Sequence, residues 1–162
     1  MIQNKAFSIP FKGLKQGVHR FDFEVSTSLF QQVETSEIFG AEISAEVILD
    51  KKSNFMEVQF LLKGVATVIC DRCLDPVDLP VEYDGKIYVK FGEETVEQDE
   101  NLLILSRAED ELDVSQYLYE FAHLSLPLKR VHAVDETGKS GCNPEMLARL
   151  REYLIDDNSE LN

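Results

Sequence analysis

Apolar and polar positions alternate with a period of two through the first two thirds of the chain. Phe21, Phe23 and Val25 are interleaved with Arg20, Asp22 and Glu24. Ala41, Ile43, Ala45, Val47 and Leu49 are interleaved with Glu42, Ser44, Glu46 and Ile48. The pattern recurs at Met56, Val58, Phe60 and Leu62, and again at Val77, Leu79, Val81 and Tyr83. Successive side chains of a strand point to opposite faces, so this pattern predicts strands buried on one face. The intervals are short and carry turn formers: Asp50–Asn54, Lys63–Gly64 and Asp84–Gly85. Short intervals predict antiparallel hairpins, because a parallel crossover needs a dozen or more residues. Between the first two strands, Leu29, Phe30 and Val33 predict one or two helical turns over Ser28–Val33.

The period changes in the last third. Asp113 reads as a helix N-cap, with Gln116 completing a capping box and Leu112 with Tyr117 a hydrophobic staple. Val114, Tyr117, Leu118, Phe121 and Leu124 form one apolar face at helical spacing, and Pro127 stops the helix. A second helix is predicted with Asn143 as cap and Pro144 as first residue. Its apolar face is Met146, Leu147, Leu150 and Leu154. The expected fold is α+β: an antiparallel sheet, open or barrel-like, with two C-terminal helices packed on it. Residues 1–162 read as one domain, with a flexible tail from about 156.

Length and composition agree with this picture. A chain of 162 residues with 44% hydrophobic and 28% charged residues is that of one globular domain. Its net charge of −14 opposes nucleic-acid binding over most of the surface. The bases are unevenly placed, however. Residues 1–20 hold Lys5, Lys12, Lys15 and Arg20 and no acid, and Lys129, Arg130 and His132 form a second group. Lys12, Lys15, Arg20, Lys129 and Arg130 are therefore the candidate contacts to RNA or a partner. Residues 93–113 hold Glu93, Glu94, Glu97, Asp99, Glu100, Glu109, Asp110, Glu111 and Asp113 against Arg107 alone. That acidic face avoids phosphate and suits a basic protein. The first twenty residues contain no apolar stretch of signal-peptide length, and no apolar run is long enough to span a bilayer. The expectation is a cytoplasmic protein with no membrane partner and three reduced cysteines.

The strongest local motif is Cys70-Asp71-Arg72-Cys73. Two thiolates at this spacing grip one soft metal ion in a turn, and zinc is the expected ion. Cys142 and His132 are the candidates to complete a tetrahedron, although their separation is not a standard finger spacing. The same pair also permits a thiol-disulfide oxidoreductase using Cys70 and Cys73. Redox sites of that kind put the pair at the start of a helix, whereas here Leu74-Asp75-Pro76 leads into another strand pattern. His19, His123 and His132 form no recognisable catalytic set, and no nucleophile elbow or phosphate-binding glycine loop is present.

Two segments together resemble the YceD family. One runs from Val68 through Cys70-Asp-Arg-Cys73 to Pro76-Val77, and the other is the capped helix Leu112–Pro127 with Glu120 inside it. The phrase from Ile9 to Phe23, with Leu14, Gly17 and His19, is similar as well. The resemblance implies a non-enzymatic role in accumulation of large-subunit ribosomal RNA and in ribosome assembly. It implies the pre-large-subunit ribosomal particle as partner, and a basic ribosomal protein suits the acidic face. It implies no catalytic residues. The general alternative is an acidic protein-interaction module. Many members of the family carry a second C-terminal cysteine near the position of Cys142; here there is one, which leaves His132 as the fourth ligand.

Overall fold

The period-two segments form strands, and the strands are longer than the intervals between them suggest. The computed structural model describes residues 2–159, with side chains as far as Tyr153. A 3-10 turn, Lys5–Phe7, leads into β1 (Ser8–Pro10), β2 (Gly17–Ser26) and a short helix α1 (Thr27–Gln31). Three long strands follow: β3 (Gly40–Lys51), β4 (Phe55–Ile69) and β5 (Pro76–Gly92). The rest comprises β6 (Val96–Asp99), β7 (Leu102–Ser106), β8 (Glu111–Asp113), α2 (Ser115–Leu124) and α3 (Pro144–Ser159). The tail expected from about 156 falls partly on α3 and otherwise on residues 160–162, outside the described residues.

One six-stranded sheet has the order β2-β3-β4-β5-β7-β6, and β1 pairs with β8 in a separate two-stranded ribbon. The fold is α+β, as the patterning implies, but the sheet is open and not a barrel. The reason lies in β6, four residues long with every side chain exposed. It has no apolar face to carry the sheet round to β2, so it ends the sheet. The pairings are antiparallel except β5 with β7, which run parallel from Tyr88↔Leu102 to Gly92↔Ser106. The chain steps out along β6 and returns in β7, so a parallel pair forms without a crossover helix.

Two intervals expected to be turns are strand interior. Gly64 pairs with Ile43 on one side and Val81 on the other. Gly85 pairs with Phe60. Both glycines fall in phase with the inward-facing residues and serve close approach. A Cβ on Gly64 would lie 2.1 Å from the Glu42 carbonyl oxygen, and one on Gly85 would lie 3.2 Å from the Phe121 ring. The interval at Asp50–Asn54 does hold a turn, closed by the Lys52 N–H donating to the Phe55 carbonyl at 2.9 Å.

The inner face of the sheet is covered by α1, α2 and the β1–β8 ribbon. Phe60 is fully buried, and its ring meets Phe121 edge-on with centroids 5.1 Å apart. Phe121 also stacks on Tyr83 at 4.9 Å. Burying each such side chain contributes about 1.5–3 kcal/mol. On α2, Val114, Tyr117, Leu118 and Phe121 are buried as the helical spacing requires, but Leu124 is 64% exposed and Ala122 is buried instead. Leu124 lines a cleft between α2 and the β6 edge of the sheet.

The start of α2 differs from the expected capping box by one residue. Val114 is the N-cap, and Asp113 precedes it at the end of β8. The Asp113 carboxylate still accepts from the Ser115 N–H at 2.9 Å, and from the Asn4 N–H at 2.9 Å. Gln116 does not reach back to Asp113; its side-chain oxygen accepts from the Ile2 N–H at 2.9 Å. The N-terminal segment therefore occupies the place of the box. At the second helix the expected cap is found: Asn143 Oδ1 accepts from the Glu145 N–H at 3.0 Å. Met146 and Leu147 pack partly on the core, Leu150 is 37% exposed, and the side chain of Leu154 lies outside the described residues.

Candidate metal centre

The β4–β5 hairpin ends in residues 70–75, which fold into a tight knuckle. The Cys70 N–H donates to the Asp75 carbonyl at 2.8 Å, and the Leu74 N–H donates to the Cys70 carbonyl at 3.0 Å. Closing it puts Leu74 at φ 64°, in the left-handed region. A non-glycine residue there costs about 1–2 kcal/mol. The cost brings a geometric return: the N–H groups of Arg72 and Cys73 are aimed at the Cys70 sulfur.

The second half of the site comes from a small hairpin between α2 and α3. Val134 bridges to Ser140, the Asp135 N–H donates to the Lys139 carbonyl at 2.8 Å, and Gly141 donates to Ala133 at 3.1 Å. Asp135 Oδ1 accepts from the Thr137 hydroxyl and N–H and from the Lys139 N–H. Gly138, at φ +84°, makes the reversal. This hairpin resolves the odd spacing of His132 and Cys142, which stand at its two feet. The signal was present in Asp135-Glu-Thr-Gly138, a turn sequence with its own side-chain acceptor.

Knuckle and hairpin are tied by the backbone. The Asp71 N–H donates to the Arg130 carbonyl at 2.7 Å, and the Arg130 N–H donates to the Asp71 carboxylate at 2.9 Å. The Asn143 amide donates to Asp75 at 3.1 Å. Asp71, Asp75, Asp135 and Asn143 support the site, and motif reading of the ligands alone does not find them.

Cys70, Cys73, His132 and Cys142 meet with all four ligand atoms within 4.8 Å of one another. Cys70 Sγ lies 3.7 Å from Cys142 Sγ, and Cys73 Sγ lies 3.4 Å from His132 Nδ1. A zinc tetrahedron with Zn–S about 2.3 Å and Zn–N about 2.0–2.1 Å has S–S edges of about 3.8 Å and S–N edges of about 3.6 Å. The donor set fits zinc in number, type and separation. His132 Nε2 lies 3.1 Å from the Pro76 carbonyl, which only accepts, so Nε2 carries the proton. In the neutral ring that leaves Nδ1 free to bind metal, the arrangement typical of zinc histidines.

The surroundings favour thiolate at two of the three sulfurs. Burial pushes the Cys70 thiol up, but the N–H groups of Cys73, Arg72 and His132 outweigh it and bring it down to about 6. Burial likewise opposes ionisation of Cys142, and the Ser140 hydroxyl and His132 ring bring it below the ordinary thiol range. Cys73 is raised, by burial first and then by the two neighbouring sulfurs. His132 is raised by its bond to Cys142 and by Cys70. One dense group of sulfurs that shares its protons with an imidazole is the state a divalent cation replaces.

The pair Cys70 and Cys73 is not laid out as a redox dithiol. The knuckle runs from one strand into another, no helix starts at it, and all three cysteines are buried. The other histidines stand apart. His19 Nε2 meets the Lys15 carbonyl, and His123 packs against Phe30 and Tyr119.

The candidate basic contacts do not come together. Lys12 and Lys15 precede β2, whose first residue, Gly17, pairs with Lys51 at one end of β3. Lys129 and Arg130 lie beside the knuckle, at the opposite end of the long strands. Three of the five are paired: Lys12 with Asp110 at 2.7 Å, Arg20 with Glu46 at 2.9 Å, and Arg130 with Glu37.

Fold and site thus define an α+β protein whose sheet ends in a two-cysteine knuckle that meets a histidine and a third cysteine from a second hairpin. The family model described as large ribosomal RNA subunit accumulation protein YceD matches residues 58–155, more than half of the chain, and the chain belongs to that family. The match spans all four residues of the cluster. No curated protein and no solved structure matches.

Proposed function

We propose that this protein is a non-catalytic factor that supports accumulation of large-subunit ribosomal RNA during ribosome assembly, acting in the cytoplasm on the pre-large-subunit particle. Family membership over residues 58–155 is the observation that carries this reading; the family is named for accumulation of an RNA and not for a reaction. In this reading Cys70, Cys73, His132 and Cys142 hold one zinc ion, which anchors the start of α3 to the end of the β4–β5 hairpin. Zinc supplies cross-linking there and no chemistry. The acidic surface engages a basic ribosomal protein. RNA contact is weak and confined to two separate groups, Lys12, Lys15 and Arg20 at one end and Lys129 and Arg130 at the other. The carboxylates of residues 93–113 work against anything broader.

The test is affinity capture of the tagged full chain at moderate salt, reading out RNA and protein together. Recovery of precursor large-subunit RNA with its ribosomal proteins supports the proposal. Recovery of neither, with reduction of insulin disulfides that Cys73→Ser abolishes, replaces it with the oxidoreductase reading.

A further inference from the structure

Away from the knuckle, a cleft of about 590 Å³ opens between α2 and the β6 edge of the sheet. Its apolar wall is aromatic: Tyr83 is partly exposed there, backed by the nearly buried rings of Phe121, stacked on it at 4.9 Å, and Tyr117, 6.1 Å from Phe121. Its rim is anionic, with Glu97 and Asp99 from β6 and Glu120 from α2. No lysine or arginine lines it, and none of these three carboxylates makes an ion pair among the described residues. Glu120 accepts one hydrogen bond, from the Gln116 amide at 2.8 Å, which fixes its carboxylate at the cleft. The Tyr117 phenol is raised above its ordinary range, by burial first and then by the nearby charges of Glu97 and Glu120.

A planar cation fits this combination in a way neither half does alone. The exposed part of an aromatic ring such as Tyr83 attracts a guanidinium laid against it, and carboxylates at the rim accept its N–H groups two at a time. A second acidic groove, of about 690 Å³ on the outer face of the sheet, also reaches Tyr83, but Lys63 stands within it and its Glu46 is already held by Arg20. We propose that the cleft between α2 and β6 binds an arginine side chain of a basic protein segment. The inference deepens the reading of a basic ribosomal protein as partner and rests on it for the partner's source, but not for the site. Beside the cleft, β6 is an edge strand with one face of its backbone unpaired, so an extended segment can lie along it while its arginine enters.

The probe is an acetylated heptapeptide of alternating glycine and arginine, titrated into the full chain by NMR, with the citrulline peptide as its neutral isostere. Amide shifts at Tyr83, Glu97 and Phe121 are expected with the arginine peptide and none with the citrulline peptide. The double variant Glu97→Gln with Glu120→Gln should weaken binding at least about tenfold, the effect of losing a charge-assisted contact. The control double variant Glu82→Gln with Asp84→Asn, equal in charge change but on the outer groove, should bind as the parent does. Equal losses in both variants mean a diffuse field and overturn the cleft. So do equal affinities for the arginine and citrulline peptides. Both variants are then scored for capture of pre-large-subunit particles. Loss of peptide binding by the cleft variant supports the site whether or not capture follows. Loss of capture with peptide binding intact overturns the site as the partner contact while leaving the ribosomal reading in place.

Discussion

The middle and the far end of the β4–β5 hairpin are held by different physics. Its middle packs Phe60, Val58, Ile87 and Val89, all fully buried, under α2 and its neighbouring strands. Its far end carries the knuckle, where the exposed side chains include Ile69 at 45% and Leu74 at 60%. In the middle, burial of many apolar groups spreads the stabilisation over the sheet, so no single link is required. At the knuckle, the four candidate ligand atoms come from two distant segments, and α3 meets the rest of the chain there through the Asn143–Asp75 hydrogen bond and the partly buried Met146 and Leu147. Apolar packing tolerates gradual change; a coordination site is complete or it is lost.

Four variants sharpen or break this contrast. Phe60→Ala should have the largest effect on the sheet, about 3–5 kcal/mol, from lost transfer energy and the cavity left under Phe121. A denaturant titration measures it, and a loss below about 1 kcal/mol would mean the middle is not the cooperative core. Gly64→Ala should cost about 1–3 kcal/mol, because the added methyl meets the Glu42 carbonyl and β3 must shift. Zinc content should not change in this variant, since the knuckle lies beyond the distortion. Asp113→Ala should cost about 1 kcal/mol, the usual loss when a helix start is deprived of its acceptor. Here the Asn4 N–H loses its partner too, so the N-terminal segment should exchange its amide hydrogens faster. Cys142→Ser should move the sheet's midpoint least. It should instead lower zinc from about one equivalent to near none by elemental analysis, and expose the amides of α3 to hydrogen exchange while those of β3 and β4 stay protected. If the parent protein carries no zinc, the metal half of the comparison fails; if β3 and β4 open together with α3, the middle and the knuckle are not independent.

What was legible in the sequence follows the same division. The long strands announce themselves because one face is buried and the other wet, which imposes alternation residue by residue. The glycines at 64 and 85 were misleading, since close approach in strand interior and reversal at a turn select the same residue. The β6–β7 excursion carries no pattern at all: Val96–Asp99 is exposed on both faces, so nothing in its periodicity distinguishes it from a loop. The four candidate ligands were readable as residue types, and the structure brings them together. Their supports were not, because Asp71, Asp75 and Asn143 act through single hydrogen bonds between segments far apart in sequence. The basic groups failed to assemble for a related reason. Charge counts along a chain carry no information about which end of a sheet each residue occupies.

The pairing of β1 with β8 joins Ile9 to Leu112, and it sets an order on the birth of the molecule. The meander from β2 to β5 consists of hairpins between neighbours and closes as soon as each strand is made. The first strand has no partner until roughly a hundred further residues have been polymerised, which at synthesis rates of about 5–20 residues per second takes roughly 5–20 s. Through that interval Phe7, Ile9 and Phe11, all buried at the end, remain open to solvent or to a chaperone. Contacts of such long range slow folding, so the N-terminal ribbon shuts well after the meander. A chain stalled before residue 111 would display a finished meander with its apolar inner face half covered.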